Sequence, residues 1–71
     1  MYTEMDLENI IAICEQDEGA PAQAGRLKKR CERALAYRDC EIHITEEDKR
    51  FLSQYYDEDM DQEAKETLTK V

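Results

Sequence analysis

Asp57, Asp59 and Asp61 stand at alternate positions in YYDEDMD, residues 55 to 61. Three carboxylates at that spacing open the D-x-D-x-D pattern of a calcium loop. The pattern then fails at the two places that give such a loop its shape. The sixth, where glycine permits a sharp turn, is Gln62, and the twelfth, where a bidentate glutamate closes the coordination sphere, is Leu68. Acids decorating the positive end of a helix account for the same residues without a metal.

Zinc prefers soft ligands in closely spaced pairs, and Cys40 with His43 is the single pair with suitable spacing. Cys14 and Cys31 would have to complete a Cys3His site, yet both fall on apolar helical stripes, where cysteine packs as a small hydrophobe. No metal or other cofactor is therefore expected. Nucleophilic catalysis fares no better: Cys31 sits among bases, but Leu27 and Leu35 on the same stripe turn it inward, away from the open setting a reactive thiolate needs. The chain has one histidine and no glycine-rich phosphate loop. Paired carboxylates are plentiful, but so short a chain has little room for a pocket that would desolvate them. A non-enzymatic role is the expectation.

Seventy-one residues make at most one domain, and about 60% of the unfolded chain's surface is buried at this size, which leaves a thin core. Self-association, as a homodimer, would supplement it. Charged residues are 39% and hydrophobic residues 41%, with two glycines and one proline, a composition that folds rather than one that stays disordered. The longest uncharged apolar run, Ile10 to Cys14, is far below the roughly 20 residues of a membrane span. MYTEMDLE lacks the basic start and apolar stretch of a signal peptide, so a cytoplasmic location without membrane contact is expected. An odd count of three cysteines in such a compartment implies free thiols.

Thr3 with Asp6 forms a capping-box pattern, and Tyr2 with Leu7 falls where a hydrophobic staple would. The first helix should run from Thr3 or Glu4 to about Gln16, burying Leu7, Ile10, Ile11 and Cys14 and stacking Glu4, Glu8 and Glu15 on a separate face. Asp17 would enter the apolar arc if the helix continued, and DEGAP then reads as a turn. A second helix should run from about Ala22 without a break before Asp39, with Ala24, Leu27, Cys31, Ala34 and Leu35 inward. On another arc Arg26, Lys29, Arg30 and Arg33 recur at i, i+3, i+4 and i+7, with Tyr37 four residues on. CEIHI, residues 40 to 44, reads as an extended connector because no second strand is available to pair with it. Thr45 with Asp48 repeats the capping box ahead of a short helix whose Phe51, Leu52, Tyr55 and Tyr56 share one side. A last helix should begin near Asp59, with Met60, Ala64, Leu68 and Val71 inward and Asp59, Glu63 and Glu66 outward. The expected fold is all-α: a small antiparallel bundle of about four helices, two long and two short, spanning residues 1 to 71 as one domain.

The net charge of −8 is laid out as acid, base, acid. Residues 1–25 hold six acids and no base, residues 26–38 six bases and one acid, and residues 39–71 eleven acids and four bases. One reading rests the basic ridge internally, between the acidic first and last helices, where exposed pairs select topology at about 0 to 1 kcal/mol each. A second lets the ridge with Tyr37 follow a nucleic-acid backbone, against the repulsion of the whole acidic chain. The reading preferred on charge is a third: Glu4, Glu8, Glu15, Tyr56, Asp57, Glu58, Asp59, Asp61, Glu63 and Glu66 engage a basic protein, such as a nuclease or another nucleic-acid-binding protein. One helix alone is too sparse to imitate DNA, which presents a charge about every 3.4 Å of strand; the first and last helices would have to expose their acids on the same side. In general character, with no shared motif, such a chain resembles the small acidic inhibitors of host nucleases made by phages and mobile elements, including anti-restriction and anti-CRISPR proteins.

Overall fold

Four helices carry the fold in the computed structural model, which describes residues 2–17, 19–39 and 41–71. They are α1 (Glu4–Gln16), α2 (Pro21–Ala36), α3 (Glu46–Ser53) and α4 (Gln62–Lys70). With no strand among the described residues, the protein is a small all-α bundle of two long and two short helices. The radius of gyration, 11.1 Å, matches the roughly 11 Å of a compact domain this long. No described helix is long and apolar enough to cross a membrane.

Both capping boxes form. Thr3 Oγ1 accepts from the Asp6 amide at 3.1 Å while Asp6 Oδ2 accepts from the Thr3 amide at 2.9 Å. Thr45 and Asp48 repeat the exchange at 3.2 Å in each direction. These reciprocal bonds satisfy donors that a helix start otherwise leaves open, and they fix where α1 and α3 begin. Tyr2 packs, half-buried, against the core cluster that contains Leu7. α1 stops at Gln16, and Asp17 turns extended with its carboxylate accepting the Ala20 amide at 2.8 Å. Pro21 then opens α2, at a position where its missing N–H costs nothing.

α1 packs along α2 on one flank and against α4 on another. The core joins Leu7, Ile10, Ile13 and Cys14 to Ala24, Leu27, Cys31 and Ala34, closed by Ile44, Phe51, Leu52 and Leu68. Ile13 is buried where the sequence pattern favoured Ile11, which is only half-buried. α4 bonds to Asp6 and Asn9, and at about 100° per residue Ile13 falls on that same side of α1, so the buried arc is wider than the stripe that faces α2. α4 itself starts at Gln62, three residues after the expected Asp59, because residues 57–60 close a turn, with the Met60 amide on the Asp57 carbonyl at 3.1 Å. Met60, Ala64 and Val71 are consequently half-buried, while Thr67 is wholly enclosed. The connector after α2 has neither helix nor strand over residues 41–45, with Ile44 buried, Ile42 half-buried and His43 exposed between them.

Asp6 does more than cap α1. Its Oδ1 accepts from the Thr67 hydroxyl at 2.7 Å and its Oδ2 from the Lys70 ammonium at 2.7 Å, both on α4. Asn9 adds a bond to the same hydroxyl at 3.1 Å. Burial pushes the Asp6 carboxyl up, but the bonds from Lys70, the Thr3 amide and Thr67 outweigh it and bring it down to about 2. A carboxyl depressed in the folded chain contributes stability that is complete above its unfolded value and is lost as pH falls through the folded one. Acid titration of wild type should therefore remove about 2 kcal/mol between pH 5 and pH 2 through this group. In Asp6→Asn that pH-dependent part should vanish and the neutral-pH stability should fall; denaturant melts at stepped pH measure both.

The end of α2 stores strain. Arg38 has φ 54°, the left-handed region that glycine enters freely and other L-residues enter at a cost. It completes a Schellman cap, with the Asp39 amide on the Ala34 carbonyl at 2.8 Å and the Arg38 amide on Leu35 at 3.2 Å. Arg38→Gly should raise stability by about 0.5–1 kcal/mol, the strain relieved being partly offset by the looser unfolded chain. A thermal melt reads this as an increase of a few degrees.

Candidate functional site

The chain leaves α3 through a turn that Tyr55 anchors. Its ring meets Phe51 edge-on, with centroids 5.4 Å apart at 62°, and its hydroxyl donates to the Asp17 carboxylate. That bond holds Asp17 below the usual carboxylate range and pushes the Tyr55 phenol up to about 12. With Tyr55 half-buried, its neighbour Tyr56 is turned outward and is 49% exposed. The expectation that Phe51, Leu52, Tyr55 and Tyr56 share one helical side is thus corrected: α3 ends at Ser53, and the tyrosines lie on the turn beyond it.

Asp57, Glu58, Asp59 and Asp61 are all exposed, and the Asp57 carboxylate stabilises their turn by accepting the Asp59 amide at 2.9 Å. Glu63 and Glu66 extend the acidic surface up the first turns of α4. Among the described residues no base lies within ion-pair distance of any of these six acids. Tyr56 borders a shallow hollow on α4 shared with Gln62, Lys65, Glu66, Thr69 and Lys70. We refer to Tyr56 with residues 57–61 as the acidic corner.

Glu4, Glu8 and Glu15 are exposed on α1, and Glu15 faces Lys28 of α2 at 3.8 Å. At about 100° per residue, this stripe lies roughly 150° around α1 from Asp6 and Asn9, where α4 is seated. The fold therefore does not merge the acids of α1 and α4 into one face. The acidic corner stands as a separate, denser patch.

The basic ridge of α2 is placed differently from the internal arrangement the charge blocks suggested. It faces α3 and the connector, not a space between α1 and α4. Arg30 Nη2 pairs with Asp48 Oδ2 at 2.5 Å, and Nη1 donates to the His43 carbonyl at 3.0 Å. Gln23 adds a bond to the Glu47 carbonyl at 3.1 Å. Burial would raise the Asp48 carboxyl, but Arg30 and the Thr45 cap hold it low. Only Arg30 of the ridge is consumed in this way. Arg26, Lys29 and Arg33 are exposed, with no acid of the described residues in ion-pair range.

Between the ridge and the 42–48 segment run two adjoining hollows that share Arg30 and Arg33. The first, about 450 Å³, is lined by Arg26, Lys29 and Arg33 opposite Thr45 and Glu47. The second, about 380 Å³, is lined by Ala34, Tyr37, Ile42 and His43, with Asp39 at its edge. Tyr37 is 78% exposed. Together they form an open groove, cationic at one end and largely apolar at the other.

Asp6 and Asp48 are the residues that sequence reasoning undervalued. Each was legible as a cap, yet each also falls in register with a buried stripe: Asp6 precedes Ile10 and Ile13 by four and seven residues, and Asp48 precedes Phe51 and Leu52 by three and four. A carboxylate on an apolar stripe must be paired when buried, and that rule would have pointed to a cation on another helix.

Cys14 and Cys31 are free and buried, and burial pushes their thiols up to about 11 and about 12. Cys40 lies outside the described residues, so the Cys40–His43 pair is tested only at His43, which is exposed. Among the described residues no three His, Cys, Asp or Glu side chains gather as a metal site. No protein-family model, curated protein or solved structure matches the chain. A thiol raised to about 11 carries about three hundredfold less thiolate at neutral pH than a free one near 8.5. In a Cys40→Ser background, Cys14 and Cys31 should react with a disulfide reagent about a hundredfold or more slower than in denaturant; rates equal to those of an exposed thiol would contradict this burial.

Proposed function

We propose that the protein is a non-enzymatic interaction protein that uses its acidic corner to engage a basic protein surface, occupying the face with which that partner binds nucleic acid. One observation carries the reading: Tyr56, half-exposed, stands beside four acids in five positions, none of them with a base of the described residues in ion-pair range. An aromatic that can seat in a partner's surface supplies contact area, and the adjoining carboxylates supply steering and register. The corner also meets the charge density that α1 alone lacks, since Asp57 to Asp61 sit on a tight turn instead of being spread along a helix. The acids of α1, on another flank, contribute to the long-range field that speeds encounter with a basic partner.

The expected behaviour is specific to place and not only to charge. Changing Asp57, Glu58, Asp59 and Asp61 to Asn or Gln should weaken binding to a labelled arginine- and lysine-rich peptide by about tenfold or more at moderate salt. A control that removes four exposed acids elsewhere, Glu4, Glu8, Glu15 and Glu41 to Gln, should weaken it far less. Fluorescence anisotropy measures both, and equal losses would reduce the corner to a share of the general field. Tyr56→Ala should weaken binding with little change in its salt dependence.

A further inference from the structure

We propose that the groove beside α2 receives the acidic corner of a second copy of this chain, so that two copies pair corner to groove. The inference rests on the reading of the corner as a binding surface and goes beyond it by naming an occupant for the groove.

The two patches match in sign and in order. The corner runs from an aromatic, Tyr56, into Asp57, Glu58, Asp59 and Asp61. Along α2 from its C-terminal end, the groove runs from Tyr37, Ala34 and Ile42 into Arg33, Lys29 and Arg26. An incoming Tyr56 can lie on the apolar end while the carboxylates meet three cations that have no acid of the described residues within ion-pair range. Arg30 is not needed for the contact, because Asp48 and the His43 carbonyl already hold it. It serves as the fixed floor between the two hollows.

The groove suits this occupant better than a strand of nucleic acid. Glu47 stands on the wall facing Arg26, and Asp39 at the apolar end, so a phosphate backbone threading the full length would pass a carboxylate at each end. A compact turn touching only the α2 side avoids both. Each copy carries a net charge of −8, but at about 0.1 M salt the screening length is about 10 Å, so the touching patches attract while remote acids are largely screened. The pairing joins two different patches, and two copies that meet about a two-fold axis with both patches in the interface make the contact twice. It also adds buried surface to a chain whose core is thin.

Charge reversal provides the test. At about 0.1 M salt and protein on the order of 100 µM, sedimentation velocity should show wild-type dimer that dissociates toward monomer as salt rises. Arg26→Glu/Lys29→Glu/Arg33→Glu should be monomeric, and so should Asp57→Lys/Glu58→Lys/Asp59→Lys/Asp61→Lys. Mixed in equal amounts, the two variants should recover the dimer, because each supplies the charge the other has lost. Circular dichroism checks that both remain folded. If a reversal variant unfolds, the neutral set Arg26→Gln/Lys29→Gln/Arg33→Gln should weaken dimerisation by about tenfold or more.

A wild-type monomer under these conditions would overturn the proposal. So would a dimer indifferent to both reversals, or a groove that binds a labelled oligothymidine while the chain stays monomeric. Capture of the basic peptide separates this inference from the proposed function. The groove variant keeps an intact corner, so it should bind the peptide at least as tightly as wild type. Peptide binding by a wild type that stays monomeric at about 100 µM would sink the pairing alone, and failure of the monomeric groove variant, whose corner is free, to bind the peptide would sink the partner reading alone.

Discussion

Two buried aspartates hold this bundle together, and each acts at two scales. Asp6 and Asp48 occupy the third helical position of their capping boxes, where their carboxylates accept the amide of the cap residue. The same carboxylates then take bonds from another helix: Asp6 from Thr67 and Lys70 of α4, Asp48 from Arg30 of α2. One residue thus sets where a helix starts and what it packs against. Neither could be buried as a charge without those partners, since desolvating a lone carboxylate costs several kcal/mol. The constraint runs both ways: once α1 and α3 are capped by short acids on their apolar side, α4 and α2 must present a cation there.

The arrangement accounts for how so small a chain keeps two short helices in place. α3 has eight residues and α4 nine, lengths at which isolated helices are marginal in water. Each contributes few core side chains, Phe51 and Leu52 from one and Leu68 from the other. The Asp6 clamp fixes α4 across α1, while Arg30 and Gln23 tie the start of α3 to α2. Tyr55, bonded to Asp17, secures the other end of α3 to the turn after α1. Polar bonds at the helix ends thereby complement an apolar centre that is too thin to specify every element.

The cost of this design appears on the surface. Of the ridge on α2, the clamp uses only Arg30, which leaves Arg26, Lys29 and Arg33 facing solvent along an open groove. The turn that Tyr55 anchors pushes Tyr56 and the acids behind it outward. Opposite charges that could have neutralised one another within the chain are instead held apart on different patches. A fold that relied on them internally would have placed the ridge against α1 and α4, and this one places it against the connector.

Helix number, the two capping boxes and the stop after Gln16 were all written in local pattern, because each depends on residues three or four apart or on a turn. The inward residues of α2 followed from periodicity for the same reason. Ile13, the late start of α4 and the outward turn of Tyr56 were not legible in this way. The burial of Ile13 and the outward turn of Tyr56 depend on α4 packing against α1 and on Tyr55 reaching Asp17, contacts between residues 38 or more positions apart, while the late start of α4 follows from the 57–60 turn, which no pattern in the sequence announced. Composition and spacing alone established an acidic chain with one basic ridge and one dense acidic turn. Which of those charges are spent inside and which remain outside was decided only by tertiary structure, because a carboxylate's partner is chosen by the helix that arrives beside it and not by its neighbours in sequence.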